Sequence, residues 1–156
     1  MRLPTPRGTS FRAGALRCRV CPGTDSNAGE FIKNTILVFD VPLGGYSTEG
    51  PIFNAPSGDI YGDGSATIVV NGLEANYRKL DQKTILWLMH GNQGAQFPAS
   101  VLAAANAAMP AEVDGRCTLC EKRDLTATEQ ALFPSAHSRD LFLRIKPLFS
   151  TVLYIR

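Results

Sequence analysis

The sequence predicts an α+β domain: a small antiparallel sheet, two short helices, many irregular loops and a four-cysteine metal clasp. Strand-forming residues bounded by turn formers predict that the sheet is built from residues 31–41, 66–77 and 141–155. Helix signals occur in residues 98–109 and 126–133. All four cysteines fall in two C-x-x-C pairs, and this predicts the clasp.

Residues 1–17 are predicted to form a basic flexible arm, and residues 18–156 a single α+β domain. Pro4 and Pro6 restrict the residues that precede them, so we expect irregular backbone in the arm. Residues 1–24 contain no acidic residue and five arginines, whereas the whole chain has a net charge of only +2. These arginines are the candidates for contact with a partner subunit or with nucleic acid, the alternative being a solvated terminus. They are Arg2, Arg7, Arg12, Arg17 and Arg19.

Two stretches in the first half of the chain have the composition of β-strands. Residues 31–41 are rich in β-branched and aromatic side chains and end at a proline. Residues 66–70 form the second strand, and the Asn-Gly pair after them predicts a hairpin with residues 73–77 as its return strand. The Gly- and Pro-rich stretch between the two strands is predicted to be a long loop. Such loops are uncommon in compact domains unless they are functional or covered by a partner.

The second half of the chain holds one ambiguous apolar run and two strand patterns. The run at residues 83–89 is compatible with a strand or with a buried helix, because periodicity does not separate the two for short apolar stretches. Residues 141–145 place apolar side chains at alternate positions, which favours a strand. Residues 148–155 are apolar and β-branched, and we expect them to close the sheet or to lie exposed for a neighbouring chain.

The two helices are predicted from different signals. Residues 98–109 are rich in alanine, begin at a proline and end before Pro110, which favours a helix. Thr126 and Glu129 have the spacing of a capping box, so a short helix is predicted from there to Phe133.

The cysteine pairs are the sharpest chemical signal in the sequence. Two C-x-x-C pairs can supply the four thiolates of a structural, tetrahedral Zn²⁺ site, which leaves no open position for a substrate. The pairs are Cys18 with Cys21 and Cys117 with Cys120. Because 95 residues separate the pairs, far more than in an ordinary zinc ribbon, the zinc site would tie the start of the chain to its last third.

The sequence leaves other uses of these cysteines open. Four thiolates can hold an iron–sulfur cluster, and a C-x-x-C pair can carry out thiol–disulfide exchange. Disulfides between distant segments are a third alternative, and buried free thiols a fourth. Intracellular thiols stay reduced, and this favours a bound metal over disulfides. Between the two metal sites, structural zinc is the commoner use of four thiolates.

The predicted function is non-enzymatic: a structural component of a larger assembly, such as a virus or phage particle or a ribonucleoprotein. The chain has no phosphate-binding glycine motif and no nucleophile-elbow pattern beside its two histidines, His90 and His137. Two alternatives remain, a nucleic-acid-binding zinc protein and a disulfide-stapled particle or tail protein. The expected partners are therefore other protein subunits, with nucleic acid as the alternative.

No apolar run reaches the length of about 18–20 residues that spans a bilayer, and no secretory signal follows Met1. We therefore expect no membrane partner. The expected location is intracellular, or within a particle assembled inside the cell.

Overall fold

The computed structural model describes residues 10–13, 16–21, 31–32, 34–40, 50–51, 53–55, 60–73, 84–113 and 115–146. The strands in these residues are β1 (Ser10–Ala13), β2 (Leu16–Cys21), β3 (Phe31–Ile32), β4 (Ile36–Asp40), β5 (Phe53–Ala55), β6 (Ile60–Gly62), β7 (Thr67–Asn71), β8 (Thr84–Gly91), β9 (Ala95–Gln96), β10 (Cys117–Glu121) and β11 (Leu141–Ile145). The α-helices are α1 (Ala99–Ala107) and α2 (Ala127–Ala131), with 3₁₀ turns at Ala111–Val113 and Lys122–Asp124.

The described strands form three sheets. The first sheet has the order β1-β2-β4-β7, antiparallel at its first two pairings and parallel between β4 and β7. The second sheet has the order β10-β11-β8-β5, antiparallel except between β8 and β5. The third sheet is the short parallel group β3-β6-β9.

The second sheet is buried on both faces. Leu86 and Leu88 of β8 belong to the main core cluster, whereas Ile85 and Trp87 belong to a smaller cluster on the other face. Strands covered on both faces read as continuous apolar runs, not as alternating patterns. This explains why the sequence alone did not separate strand from helix at residues 83–89.

Helix α1 connects the first and second sheets. Its Val101 and Ala105 are buried, and the helix contacts both β7 and β10. The side-chain amide of Asn106 donates to the Leu119 carbonyl at 2.9 Å and accepts from the Leu119 N–H at 2.7 Å. Asn106 thus covers part of the outer edge of β10, where an unpaired strand edge would otherwise be exposed.

The α+β class and both helices are confirmed. In α2 the predicted capping box is present: Thr126 Oγ1 accepts from the Glu129 N–H at 3.3 Å, and Glu129 Oε2 accepts from the Thr126 N–H at 2.8 Å. Among the described residues, no helix is long and apolar enough to cross a membrane.

The prediction of a single antiparallel sheet is wrong. The strands within residues 31–41 and 66–77 lie in the first sheet, where β4 and β7 run parallel, and β11 lies in the second. The physical reason is that parallel neighbours are joined by long connections, so local turn chemistry does not report them. Residues 74–77 and 148–155 lie outside the described part of the chain, so the hairpin return and the closing strand stay predictions.

Two strands occur within or beside the predicted arm. Residues 10–13 form β1, and β2 begins at Leu16 and pairs with β4. Residues 1–9 lie outside the described residues. The division into an arm at residues 1–17 and a domain at residues 18–156 is otherwise untested and stays a prediction.

Candidate functional site

The cysteines of the second predicted pair lie on opposite faces of β10. Side chains alternate between faces along a strand, so two residues that are three apart point in opposite directions. Cys117 packs in the main core cluster, and Cys120 packs in the smaller one with Trp87 and Phe142. Because of this placement, the two sulfur atoms cannot ligate one ion while β10 keeps its pairing.

The thiols of Cys117 and Cys120 are also free and buried. Burial raises the pKa of each thiol from 9.0 to about 11. Without a bound metal ion, both are therefore protonated at neutral pH, and a protonated thiol is a poor nucleophile. Here these two residues act as small apolar core residues.

The first predicted pair lies on β2, in a different sheet. Cys18 is in register with Phe39 of β4, and Cys21 is in register with Ile36. The side chains of this pair lie outside the described part of the structure. Within that part, no group of three or more His, Cys, Asp or Glu residues is placed to hold a metal ion. The four-cysteine clasp is not shown, and zinc stays a prediction.

Three of the five candidate arginines lie in the hairpin of β1 and β2: Arg12, Arg17 and Arg19. The backbone register sets Arg12 opposite Arg17, and Arg17 opposite Asp40 of β4. The other two, Arg2 and Arg7, lie outside the described residues. Contact with a partner or with nucleic acid therefore stays a prediction.

A buried carboxylate and two histidines form a polar cluster where β8 ends. Asp140 has no exposed surface. Its Oδ2 lies 2.6 Å from His90 Nδ1 and accepts from the His137 N–H at 2.9 Å, and its Oδ1 accepts from the Gly91 N–H at 3.5 Å. We call these four residues the Asp140 cluster. Sequence reasoning missed it because its members are brought together only by tertiary folding.

The ring geometry of the Asp140 cluster limits what it can bind. The His90 and His137 rings are stacked, with centroids 5.1 Å apart and planes 6° apart. A metal ion lies in the plane of each imidazole that ligates it, at about 2.0–2.1 Å from the nitrogen. Two stacked, nearly parallel planes do not meet at such a point, so the pair does not chelate a metal in this arrangement.

The Asp140 carboxylate fixes one nitrogen of the His90 ring. The carboxylate at Nδ1 favours the tautomer that carries its proton there, which leaves Nε2 as an acceptor. Acid–base catalysis also needs a reacting group within hydrogen-bond reach of that nitrogen. No described serine or cysteine side chain is hydrogen-bonded to His90. The cluster therefore joins β8 to the turn before β11.

A second buried carboxylate lies at the end of β10. Glu121 forms ion pairs with Arg123 at 2.5 Å and with Arg139 at 3.4 Å. Arg139 also donates from Nη1 to Gln96 Oε1 at 2.8 Å. Buried charges are tolerated when they are paired in this way. These contacts join the turn before β11 to β9 and β10, so we assign them a structural role.

An uncharged groove runs between β7 and α1. It encloses about 130 Å³. The β7 side is formed by residues 66–70, and the helix side by apolar residues. These are Val101, Ala104, Ala105, Ala108 and Met109.

The outer edge of β7 faces this groove. The Thr67 N–H donates to the Thr35 carbonyl at 2.9 Å, on the β4 side. In a parallel pair the backbone groups of successive residues point to opposite sides, so Ile68 and Val70 direct their N–H and C=O groups away from β4. No other described strand pairs with this edge. The return strand predicted at residues 73–77, which would pair with β7, lies outside the described residues from residue 74 onward and stays a prediction.

The comparisons with known proteins identify no relative: no family model, no curated protein and no solved structure matches the chain. The interpretation of each candidate site therefore rests on the geometry of that site.

Proposed function

We propose that this protein is a non-enzymatic structural component of a larger assembly, of the virus, phage or ribonucleoprotein type, and that neighbouring copies join at the groove between β7 and α1. The observation that supports the proposal is a strand edge that faces an uncharged helix surface. Strand addition to such an edge is a common mode of protein recognition, in which backbone hydrogen bonds supply much of the affinity.

Within the described part of the chain, no strand pairs with the outer edge of β7. Natural proteins protect edge strands with charged side chains, proline, bulges or a covering segment. The β7 sequence, Thr-Ile-Val-Val-Asn, contains no charge and no proline. By contrast, Asn106 covers the edge of β10 at Leu119. The difference between these two edges favours β7 as the edge that receives another strand.

The helix side of the groove is suited to an apolar partner. Helix α1 has no charged residue, although Ala104 and Ala108 at the groove are exposed. The exposed face of a solvated helix ordinarily carries charged and polar residues. Small alanine side chains leave room for the side chains of an added strand. An uncharged groove favours a protein segment over a phosphate backbone, which is bound by Lys and Arg.

Structural zinc at Cys18, Cys21, Cys117 and Cys120 is a separate part of the proposal. It requires β10 to rearrange, because Cys117 and Cys120 now face opposite sides. Elemental analysis of protein purified under reducing conditions tests it. About one equivalent of zinc per chain supports the site. Less than about half an equivalent of bound metal per chain would remove zinc and leave the proposed assembly unaffected.

Sedimentation velocity over a range of concentrations tests the assembly. We expect the full chain to associate and Ala104→Glu to weaken association about tenfold or more, because a buried, unpaired carboxylate is unfavourable. Ala103→Glu is the matched control, since Ala103 is an exposed helix residue that does not line the groove. A chain that stays monomeric, or two variants that behave alike, would overturn the proposal.

A further inference from the structure

We propose that the first sheet binds the phosphate backbone of a nucleic acid through Arg12, Arg17 and Arg19. The observation that supports this is the strand register, which sets these three arginines on one face of the sheet. We call the face of the first sheet that points away from the main core cluster the outer face. The inference does not depend on the joining of copies at the groove between β7 and α1.

Strand β4 identifies the two faces of the first sheet. Leu37 and Phe39 are fully buried in the main core cluster, whereas Ile36 is 46% exposed and Val38 is half-buried. Successive residues of a strand alternate between the two faces of its sheet. This alternation assigns Ile36 and Val38, together with Asp40, to the outer face.

The register of the β1–β2 hairpin sets its arginines on the same face. Arg19 pairs with Val38 of β4, and Arg17 pairs with Asp40. Residues that pair directly across two neighbouring strands share a face of the sheet. Arg12 of β1 is in register with Arg17 in the same way. The outer face therefore carries all three arginines of the hairpin.

The positive charge of the outer face is concentrated in a small area. Arg17 and Arg19 are two residues apart on one strand, a spacing of about 7 Å. Arg12 lies directly opposite Arg17, and like charges in that position destabilise a sheet. Among the residues of the four strands of the first sheet, Asp40 is the one acidic residue. An anion bound over this face would relieve the repulsion between the arginines.

The concentration of charge favours a nucleic acid over an acidic protein surface. Double-stranded DNA carries one negative charge per about 1.7 Å of helix axis. Protein surfaces ordinarily mix charges of both signs. Arginine also binds a phosphate group through two parallel hydrogen bonds, which adds geometric specificity to the charge attraction. Three arginines within one hairpin therefore match a run of phosphate groups.

The outer face is suited to the phosphate backbone and not to the bases. Proteins that hold single strands stack the bases on aromatic side chains. The aromatic residues in the four strands are Phe11 and Phe39. Phe11 pairs with Cys18, and Cys18 pairs with Phe39, so the register assigns both aromatic residues to the opposite, inner face. Phosphate contacts carry no direct sequence information, so the expected binding is independent of sequence and sensitive to salt.

Fluorescence anisotropy with a labelled, mixed-sequence DNA duplex of about 20 base pairs tests the inference, with salt varied from about 50 to about 200 mM. We expect Arg19→Gln to weaken binding by the full chain about threefold or more. The slope of log affinity against log salt should fall by about 0.9, the contribution of one phosphate contact. Lys146→Gln is the matched control, because it removes the same charge from an exposed position after β11 and should leave the slope unchanged. Circular dichroism checks the fold of each variant.

Asp40→Asn tests the inference in the opposite direction. The substitution removes the acidic residue of the outer face but keeps an oxygen that can accept from Asn71 Nδ2, which now donates to Asp40 Oδ1 at 3.1 Å. We expect the affinity for the duplex to rise about threefold, because one repulsive charge beside the phosphates is lost. A variant that only damaged the fold would bind more weakly, so a gain separates a role in binding from a role in stability.

Three outcomes would overturn the inference. The unaltered chain fails to bind the duplex at low salt, Arg19→Gln and Lys146→Gln change the affinity equally, or Asp40→Asn does not raise it. Displacement of the duplex by polyglutamate at an equal concentration of charge would also overturn it, and would assign the outer face to an acidic protein partner. None of these results alters the sedimentation test of the groove, so the proposed function and this inference can fail separately.

Discussion

Asp140 and His90 lie 50 residues apart in the sequence, and Asp140 Oδ2 is 2.6 Å from His90 Nδ1. The same carboxylate accepts from the His137 N–H at 2.9 Å. Asp140 is fully buried, so its hydrogen bonds replace water entirely. The pair therefore fixes the end of β8 against the turn that precedes β11.

Replacing Asp140 with alanine should lower the free energy of unfolding by about 3 kcal/mol, because the change leaves buried donors without a partner. Urea denaturation measures this loss. Asp124→Ala is the control, since the exposed Asp124 accepts the Glu121 N–H at 3.0 Å and its loss should cost about 1 kcal/mol. Equal losses in the two variants would contradict the role given to Asp140.

The Asn106 side chain should stabilise the outer edge of β10. Asn106→Ala removes two hydrogen bonds to Leu119 and should reduce the free energy of unfolding by about 2 kcal/mol. It also exposes a strand edge, so light scattering on storage should increase. Ala107→Ser changes the next, exposed helix position and serves as the control. Unchanged stability and unchanged scattering in Asn106→Ala would show that the edge is protected in another way.

The buried thiols of Cys117 and Cys120 predict how the stability of the fold depends on pH. Burial raises the pKa of both thiols from 9.0 to about 11, so the folded state binds these protons more tightly than the unfolded state does. Their contribution to stability is complete below pH 9 and is lost as the pH rises toward 11. Denaturation midpoints measured from pH 8 to pH 11 check this.

The same thiols should react slowly with a thiol reagent at neutral pH and quickly in denaturant. A chelator separates the two explanations for slow labelling: if burial alone masks the thiols, both rates stay unchanged, whereas loss of the proposed zinc would make labelling in the folded state faster. Faster labelling after chelation would contradict the free-thiol description and would favour the zinc prediction.

Gly94 combines a positive φ of 90° with a close neighbour, and a Cβ atom there would lie 2.8 Å from Arg139 Cβ. Gly94→Ala should therefore be destabilising through both strain and steric overlap, by about 3 kcal/mol. Gly115 has a φ of 69° and open space around it, so Gly115→Ala isolates the strain and should cost about 1 kcal/mol. Thermal denaturation compares the two, and a larger loss at Gly115 would contradict the packing described.

Local signals in the sequence predicted local structure well. The alanine-rich stretch and the capping box at Thr126 identified both helices, because helix propensity and capping act within one turn. The strand at residues 141–145 was predicted from alternation. The fold class followed from these elements.

The sheet order and the candidate sites could not be predicted in the same way. The parallel pairing of β4 with β7 joins residues about 30 apart, and no local pattern reports it. The C-x-x-C spacing at Cys117 predicted a metal-binding turn, but a regular strand places Cys117 and Cys120 on opposite faces. The pairing of β10 with β11 is what shows that Cys117 and Cys120 lie in a strand and not in a metal-binding turn.

Amide hydrogen exchange at β7 tests the central claim, that copies join by strand addition at the groove, most directly. Thr67 and Val69 direct their N–H groups toward β4 and should be protected in dilute and in concentrated protein. The Ile68 and Val70 amides should exchange quickly when the protein is dilute and become protected when it associates. Rapid exchange of Ile68 and Val70 in the associated protein would contradict the account.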